Sequence, residues 1–205
     1  MKSSVTLLPM SPTHVDEVVK VHLAGFAGYF LSFLGPRFLR MLYKGILDDP
    51  GGIGLVVTSE GGRIEGFAAG VLQQAGFYRR LIKSRKWAFA AASMPSLLRR
   101  PWIAPRLLRA LRLPAESTKA AAEACLMSLA VRPDAESMGL GGRLIEGFCL
   151  EVSRRGAPAV CLTTDQYNND QANRLYTRWG FKIHRTTVTP EGRTMNEYVR
   201  FLNQE

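Results

Sequence analysis

The stretch Val131-Arg132-Pro133-Asp134-Ala135-Glu136-Ser137-Met138-Gly139-Leu140-Gly141-Gly142-Arg143-Leu144-Ile145 decides the fold. Just before it, Ala124–Val131 is an apolar run of strand length. After the Arg-Pro-Asp turn, three glycines open a helix whose Leu140, Leu144 and Phe148 recur at i, i+4 and i+8, with Ile145, Cys149 and Val152 beside them. One face of that helix therefore packs on a sheet. Glycines at the junction let a ligand approach the backbone, because no β-carbon intervenes. The helix start offers unpaired N–H groups and the positive end of the helix dipole, which suits an anion.

Working outward, Ala159–Thr164 reads as a strand and Asn169–Trp179 as a helix with Ala172, Leu175, Tyr176 and Trp179 on one face. Phe181–Thr189 and Thr194–Leu202 read as two closing strands around Pro190-Glu191-Gly192. Toward the N-terminus, Val5–Leu8 is a short strand, and Ser11 or Thr13 can cap a helix carrying Val15, Val18, Val19 and Leu23. Gly35-Pro36 opens a second helix ending near Asp48. Ile53–Thr58 and Ile64–Leu72 form a hairpin around Glu60-Gly61-Gly62-Arg63. Hairpins demand antiparallel pairs and the strand–helix–strand unit demands a parallel one. The expected class is α/β: a mixed, mostly antiparallel central sheet of six to seven strands flanked by helices, in one domain spanning 1–205.

Net charge is +10, and the segment from Arg79 to Arg112 holds ten basic residues and no acidic one, so the excess is local. Pro95, Pro101 and Pro105 must break this segment, from about 77 to 113, into short helical pieces. With Trp87, Phe89 and Trp102 interleaved, it fits an anionic membrane surface, a pocket for an anionic substrate such as a nucleotide-linked amino sugar, contacts to phosphates, or a solvated face that only keeps the chain soluble. No nucleic-acid-binding module accompanies the charge. There is no uncharged apolar run of spanning length and no signal-type apolar core after Lys2, so a cytoplasmic chain is expected, with peripheral membrane contact left open. The three cysteines, Cys125, Cys149 and Cys161, lie in apolar segments without metal-ligand spacing and read as reduced core residues.

A dinucleotide fingerprint needs a six-residue glycine spacing that Gly139-x-Gly141-Gly142 lacks, and no Gly-Lys-Ser/Thr follows for a nucleoside-triphosphate loop. Glu136-x-x-Gly139-x-Gly141 after a strand, followed by Asn169-x-x-Ala172-x-x-Leu175-Tyr176-x-x-x-Gly180-Phe181, instead resembles the GNAT superfamily of N-acetyltransferases. The likeness is strongest over 124–181. It departs at Glu136, where the family usually has Gln or Arg; an acid there is expected to turn away or cap the helix.

That resemblance implies acetyl-CoA as acyl donor and no metal. The donor would lie against Leu129, Ala130 and Val131, on the turn Ser137, Met138, Gly139, Leu140, Gly141, Gly142 and Arg143, and near Asn169. A splay between the strands at 127–131 and 159–164 would admit the pantetheine arm, and a backbone N–H near Leu129 would polarise the thioester carbonyl. Tyr176 matches the tyrosine that protonates the departing CoA thiolate. Read from the residues alone, Tyr176 is a core tyrosine. For the base that takes the amine's proton, Glu123 and Asp165 are the candidates, with a solvated strand-end carboxylate as the other reading of Glu123. His14, His22 and His184 read as surface or packing residues. The implied acceptor is a small-molecule amine of unspecified identity, and a homodimer is left open. A non-catalytic acyl-CoA-binding or membrane-associating protein on the same fold is the alternative.

Overall fold

The computed structural model describes residues 5–81, Phe89, Ala92, Met94 and 122–202. The expected basic helical pieces from Ile82 to Leu113 fall, apart from those three residues, outside it. The elements are β1 (Val5–Pro9), α1 (Val15–Gly25), α2 (Phe30–Phe33), α3 (Gly35–Asp48), β2 (Gly52–Ser59) and β3 (Ile64–Val71). Then follow β4 (Ala124–Val131), α4 (Leu140–Arg154), β5 (Ala159–Asp165), α5 (Asp170–Arg178), β6 (Lys182–Val188) and β7 (Thr194–Phe201). The seven strands lie in the order β1-β2-β3-β4-β5-β7-β6. Every neighbouring pair is antiparallel except β4 with β5. The mixed, mostly antiparallel sheet is as expected. The one-turn helix α2 was not; the Ser32 hydroxyl fastens it by donating to the Phe26 carbonyl, six residues back, at 2.7 Å.

Two apolar layers sandwich the sheet. On one face α1 and α3 bury Val18, Leu39, Leu42 and Tyr43 against Phe67 and Ala69 of β3. On the other, α4 buries Leu140, Leu144 and Phe148 against Ala68 and Leu126. Each such side chain, removed fully from water, contributes about 1.5–3 kcal/mol. Covered on both sides, β3 is buried along its whole length, which its Gly66, Ala68, Ala69 and Gly70 permit by letting both layers close in.

His22 sits within the α1–α3 layer, 2% exposed, between the rings of Phe26 and Phe67. Its Nδ1 lies 2.6 Å from the Tyr43 hydroxyl, while Nε2 has no partner. Burial disfavours the imidazolium and pushes its pKa from 6.5 down to about 4. A group depressed on folding contributes stability that is present above its unfolded pKa and lost as pH falls through the folded one. The chain is therefore expected to lose about 3 kcal/mol as pH drops from 6.5 to about 4. Urea unfolding at several pH values checks this, and His22→Leu should flatten the dependence across that window.

Candidate active site

The centre of the molecule is a gap between two adjacent strands. β4 and β5 pair only at Ala124 with Val160 and Cys125 with Cys161. Beyond Cys125, β4 continues to Val131 against β3 alone, and no described strand pairs with its other edge. The cause lies in the β3–β4 register, where Ala69 faces Ser128 but Gly70 faces Leu126, leaving Met127 as an extra residue. Such a bulge bends its strand and raises the local twist. It also resets the faces: Leu126 and Leu129 both pack into the α4 layer, whereas Met127 and Ala130 pack into the α1–α3 layer. Leu129, Ala130 and Val131 thus lie along the open edge, where the sequence expectation puts a thioester arm.

At the far end of β4, a 3-10 turn over Pro133–Met138 leads into α4. Gly139 stands at the helix N-cap with φ 69° and ψ 16°, the left-handed region that an L side chain enters at a cost of about 1–2 kcal/mol. Gly139 has no side chain to cap this helix and its first turn holds no acidic residue, so among the described side chains none takes the first N–H groups, which suit an anion. The side chains of Glu136 and Ser137 lie outside the described residues, and Met138 is 43% exposed.

The three glycines divide their work. Nothing stands within 4 Å of a β-carbon placed on Gly139, so that position is open to a ligand. A β-carbon on Gly141 would lie 3.0 Å from Leu175, and one on Gly142 would lie 2.4–2.6 Å from the Trp179 indole. Gly141 and Gly142 thus let α5 and the residue after it pack against the start of α4. Leu140 is itself fully buried. The Arg143 guanidinium, expected near the cofactor, donates to the Val5 carbonyl of β1 at 3.2 Å.

Helix α5 is fastened to the open end of β5. The Asn169 amide nitrogen donates to the Thr164 hydroxyl at 2.6 Å and to the Asp165 carbonyl at 3.5 Å. Asn173, which sequence reasoning passed over, donates to the carbonyls of Asp165 and Asn169, both at 3.0 Å, and accepts the Tyr198 hydroxyl at 3.0 Å. Its spacing of four from Asn169 was the available signal, since both then share one helix face. This anchoring seats Tyr176, 8% exposed, with its ring 6.0 Å from Phe181 and 5.9 Å from Tyr198. Burial first, then the neighbouring Tyr29 and Tyr198, pushes its pKa up to about 12. The core reading of Tyr176 is thus correct as packing, and it leaves the residue a neutral O–H donor at physiological pH.

The two candidate bases lie at opposite ends of the gap. Glu123 is exposed and precedes β4, next to the closed end of the gap, where its carbonyl accepts the Gln74 N–H at 3.0 Å. Asp165 ends β5 on the open side, but Arg193 grips its carboxylate with both Nε, at 2.9 Å, and an NH2 group. The Arg193 guanidinium also lies 5.5 Å from the Tyr29 ring centroid, tying the α1–α2 loop to the β6–β7 turn. A third carboxylate, Glu197 of β7, is 7% exposed, opposite Thr163 of β5 and paired with Arg185. Nothing in its local sequence marked it, because its burial comes from strand pairing alone. Of the histidines, His14 accepts the Ser11 N–H at 3.1 Å and His184 is exposed on β6.

A family model described as FR47-like protein matches residues 111–189, which includes β4, the glycine turn, α4, β5, α5 and β6. The ribosomal-protein-S18-alanine N-acetyltransferase of Escherichia coli superposes with a TM-score of 0.61 at 15% identity, covering 98% of this chain and 96% of that one. The chain has the GNAT fold. A putative acetyltransferase of the GNAT family from Desulfovibrio desulfuricans gives 0.60 at 16% identity, covering 97% and 99%. An aminoglycoside 6'-acetyltransferase type Ii gives 0.60 at 14%, covering 96% of each chain. No curated protein matches in sequence. The GNAT resemblance carried by Gly139-x-Gly141 and Asn169–Phe181 is thereby borne out in the fold.

Proposed function

We propose that this GNAT-fold chain is an acetyl-CoA-dependent N-acetyltransferase that acetylates a primary amine by direct attack. The observation that carries the reading is the early end of the β4–β5 ladder at Cys125–Cys161, on the same strand that leads into an α4 N-terminus opened by left-handed Gly139. Together they supply a slot with a bare peptide edge and an anion cradle at one end of it, which is the shape of a phosphorylated, amide-containing acyl carrier. The N–H groups of Gly139 and the first turn of α4 would hold the pyrophosphate. The edge of β4 over Leu129–Val131 would pair with the pantetheine amides and aim one N–H at the thioester carbonyl. The Asn169 side-chain oxygen Oδ1 is left to accept from the same arm, its amide nitrogen being spent on Thr164 and Asp165.

Tyr176 would donate its proton to the departing thiolate. Glu123, exposed at the closed end, would take the amine's proton only through water. The relatives named above act on acceptors as different as a ribosomal-protein alanine and an aminoglycoside. The acceptor is thus set by what covers the slot rather than by the shared scaffold.

Calorimetric titration of acetyl-CoA into the parent chain and into Gly139→Glu tests the reading. The parent is expected to bind in the micromolar range. The variant adds a carboxylate to the anion cradle and a strained left-handed side chain, so it should lose at least about tenfold in affinity. Equal affinity in a folded variant, or no binding by the parent, would overturn the assignment.

A further inference from the structure

The rung that closes the gap carries two thiols. Cys125 of β4 and Cys161 of β5 are direct register partners in the last pair of the parallel ladder. Adjacent strands run about 4.8 Å apart, within the roughly 4.4–6.8 Å Cα separation that a disulfide spans. Both side chains lie on one face, clustered with Ala159 and Val199, and both thiols are free. The third cysteine, Cys149, belongs to the α4 layer on the other face of the sheet and cannot reach them. The Cys161 thiol donates to the Ala122 carbonyl at 3.4 Å, and beside the Cys125 thiol its pKa is lowered while that of Cys125 is raised. Cys161 is therefore the more ready nucleophile, and Cys125 the resolving thiol.

Position gives the pair its meaning. It stands on the rung that closes the gap, with both side chains buried on one face of the sheet, so only an oxidant small enough to pass the empty slot would reach them, and an acyl carrier filling the slot would stand in its way. We propose that Cys125 and Cys161 form a reversible disulfide, made by peroxide in the empty gap and blocked when acyl-CoA fills it. The blocking rests on the function proposed above; the pairing of the two thiols does not. The Cys161 thiolate attacks one peroxide oxygen, the O–O bond breaks, and the hydroxide leaves as water after taking a proton, giving a sulfenic acid. The Cys125 sulfur then attacks the Cys161 sulfur, an S–S bond forms and a second water leaves. Two thiols lose two electrons, and one peroxide becomes two waters. Dithiothreitol reverses the change.

The test treats the folded full-length chain with hydrogen peroxide, with and without acetyl-CoA, then alkylates it after denaturation and maps the peptides by mass. Expected are a loss of two hydrogens, a reducible cross-linked peptide holding Cys125 and Cys161, and alkylation of Cys149 alone. At an acetyl-CoA concentration about ten times its Kd, cross-linking should slow roughly tenfold. In Cys125→Ser, Cys161 should stop at a dimedone-reactive sulfenic acid. Three alkylatable thiols after treatment, or a cross-link through Cys149, would overturn the pair whatever the state of the variant. A Cys125–Cys161 bond forming equally fast with acetyl-CoA bound would confirm the redox pair and refute the shielding, while calorimetry alone decides whether the cofactor binds.

Discussion

Tyr176→Phe is expected to lower turnover by roughly a hundredfold while changing acetyl-CoA affinity by less than about twofold. The hydroxyl acts only as the thiolate departs, so its removal costs the transition state and not the bound ground state. Burial holds the group neutral up to about pH 12, so the parent should show no loss of activity from this residue across the neutral and mildly alkaline range. The ring keeps its contacts with Phe181 and Tyr198 in the phenylalanine variant, and thermal unfolding should confirm an intact fold. Steady-state kinetics with any accepted amine makes the measurement. Unchanged turnover at every pH would remove Tyr176 from the chemistry and return it to the core.

A large loss of stability is expected from Gly70→Ala. A β-carbon there would lie 2.1 Å from the Cys125 carbonyl oxygen and 2.7 Å from the tip of the Phe148 ring. The ring could turn aside, but the carbonyl belongs to the backbone of β4 at the apex of the gap. Relief therefore requires moving one strand against the other beside the Met127 bulge. A cost on the order of 4 kcal/mol is expected, near the top of the range for a single core substitution, and a large part of an ordinary domain's stability. Adding Phe148→Ala should fail to rescue it, since the backbone contact remains. Gly61→Ala, with open space around it, serves as a control and should stay within about 0.5 kcal/mol of the parent. Chemical denaturation of the variants checks all three.

What the chain says locally was legible in its letters. The strand Ala124–Val131 was read to its observed ends, and the helices opening near Gly139 and Asn169 to within about a residue, because periodicity and turn chemistry are carried by neighbours in sequence. The hairpin of β2 and β3 and the mostly antiparallel sheet followed from the same signals. The junction after β4 was legible too, as a glycine turn suited to an anion.

Tertiary structure decided the rest. That β4 and β5 part after a single closing stretch depends on a bulge in β4, which exists only relative to its pairing with β3. That Gly141 and Gly142 make room for Leu175 and Trp179 depends on where α5 lands, more than thirty residues downstream. Asp165 read as a free carboxylate until Arg193 closed on it, and Cys125 and Cys161 read as separate core residues until the parallel register set them side by side. Sequence by itself determined which segments are strand or helix and where an anion could sit, since those are properties of adjacent residues. Which carboxylate is tied up, which glycine is open and which thiols meet were decided only by packing, since strand register and helix seating join residues that carry no mark of one another along the chain.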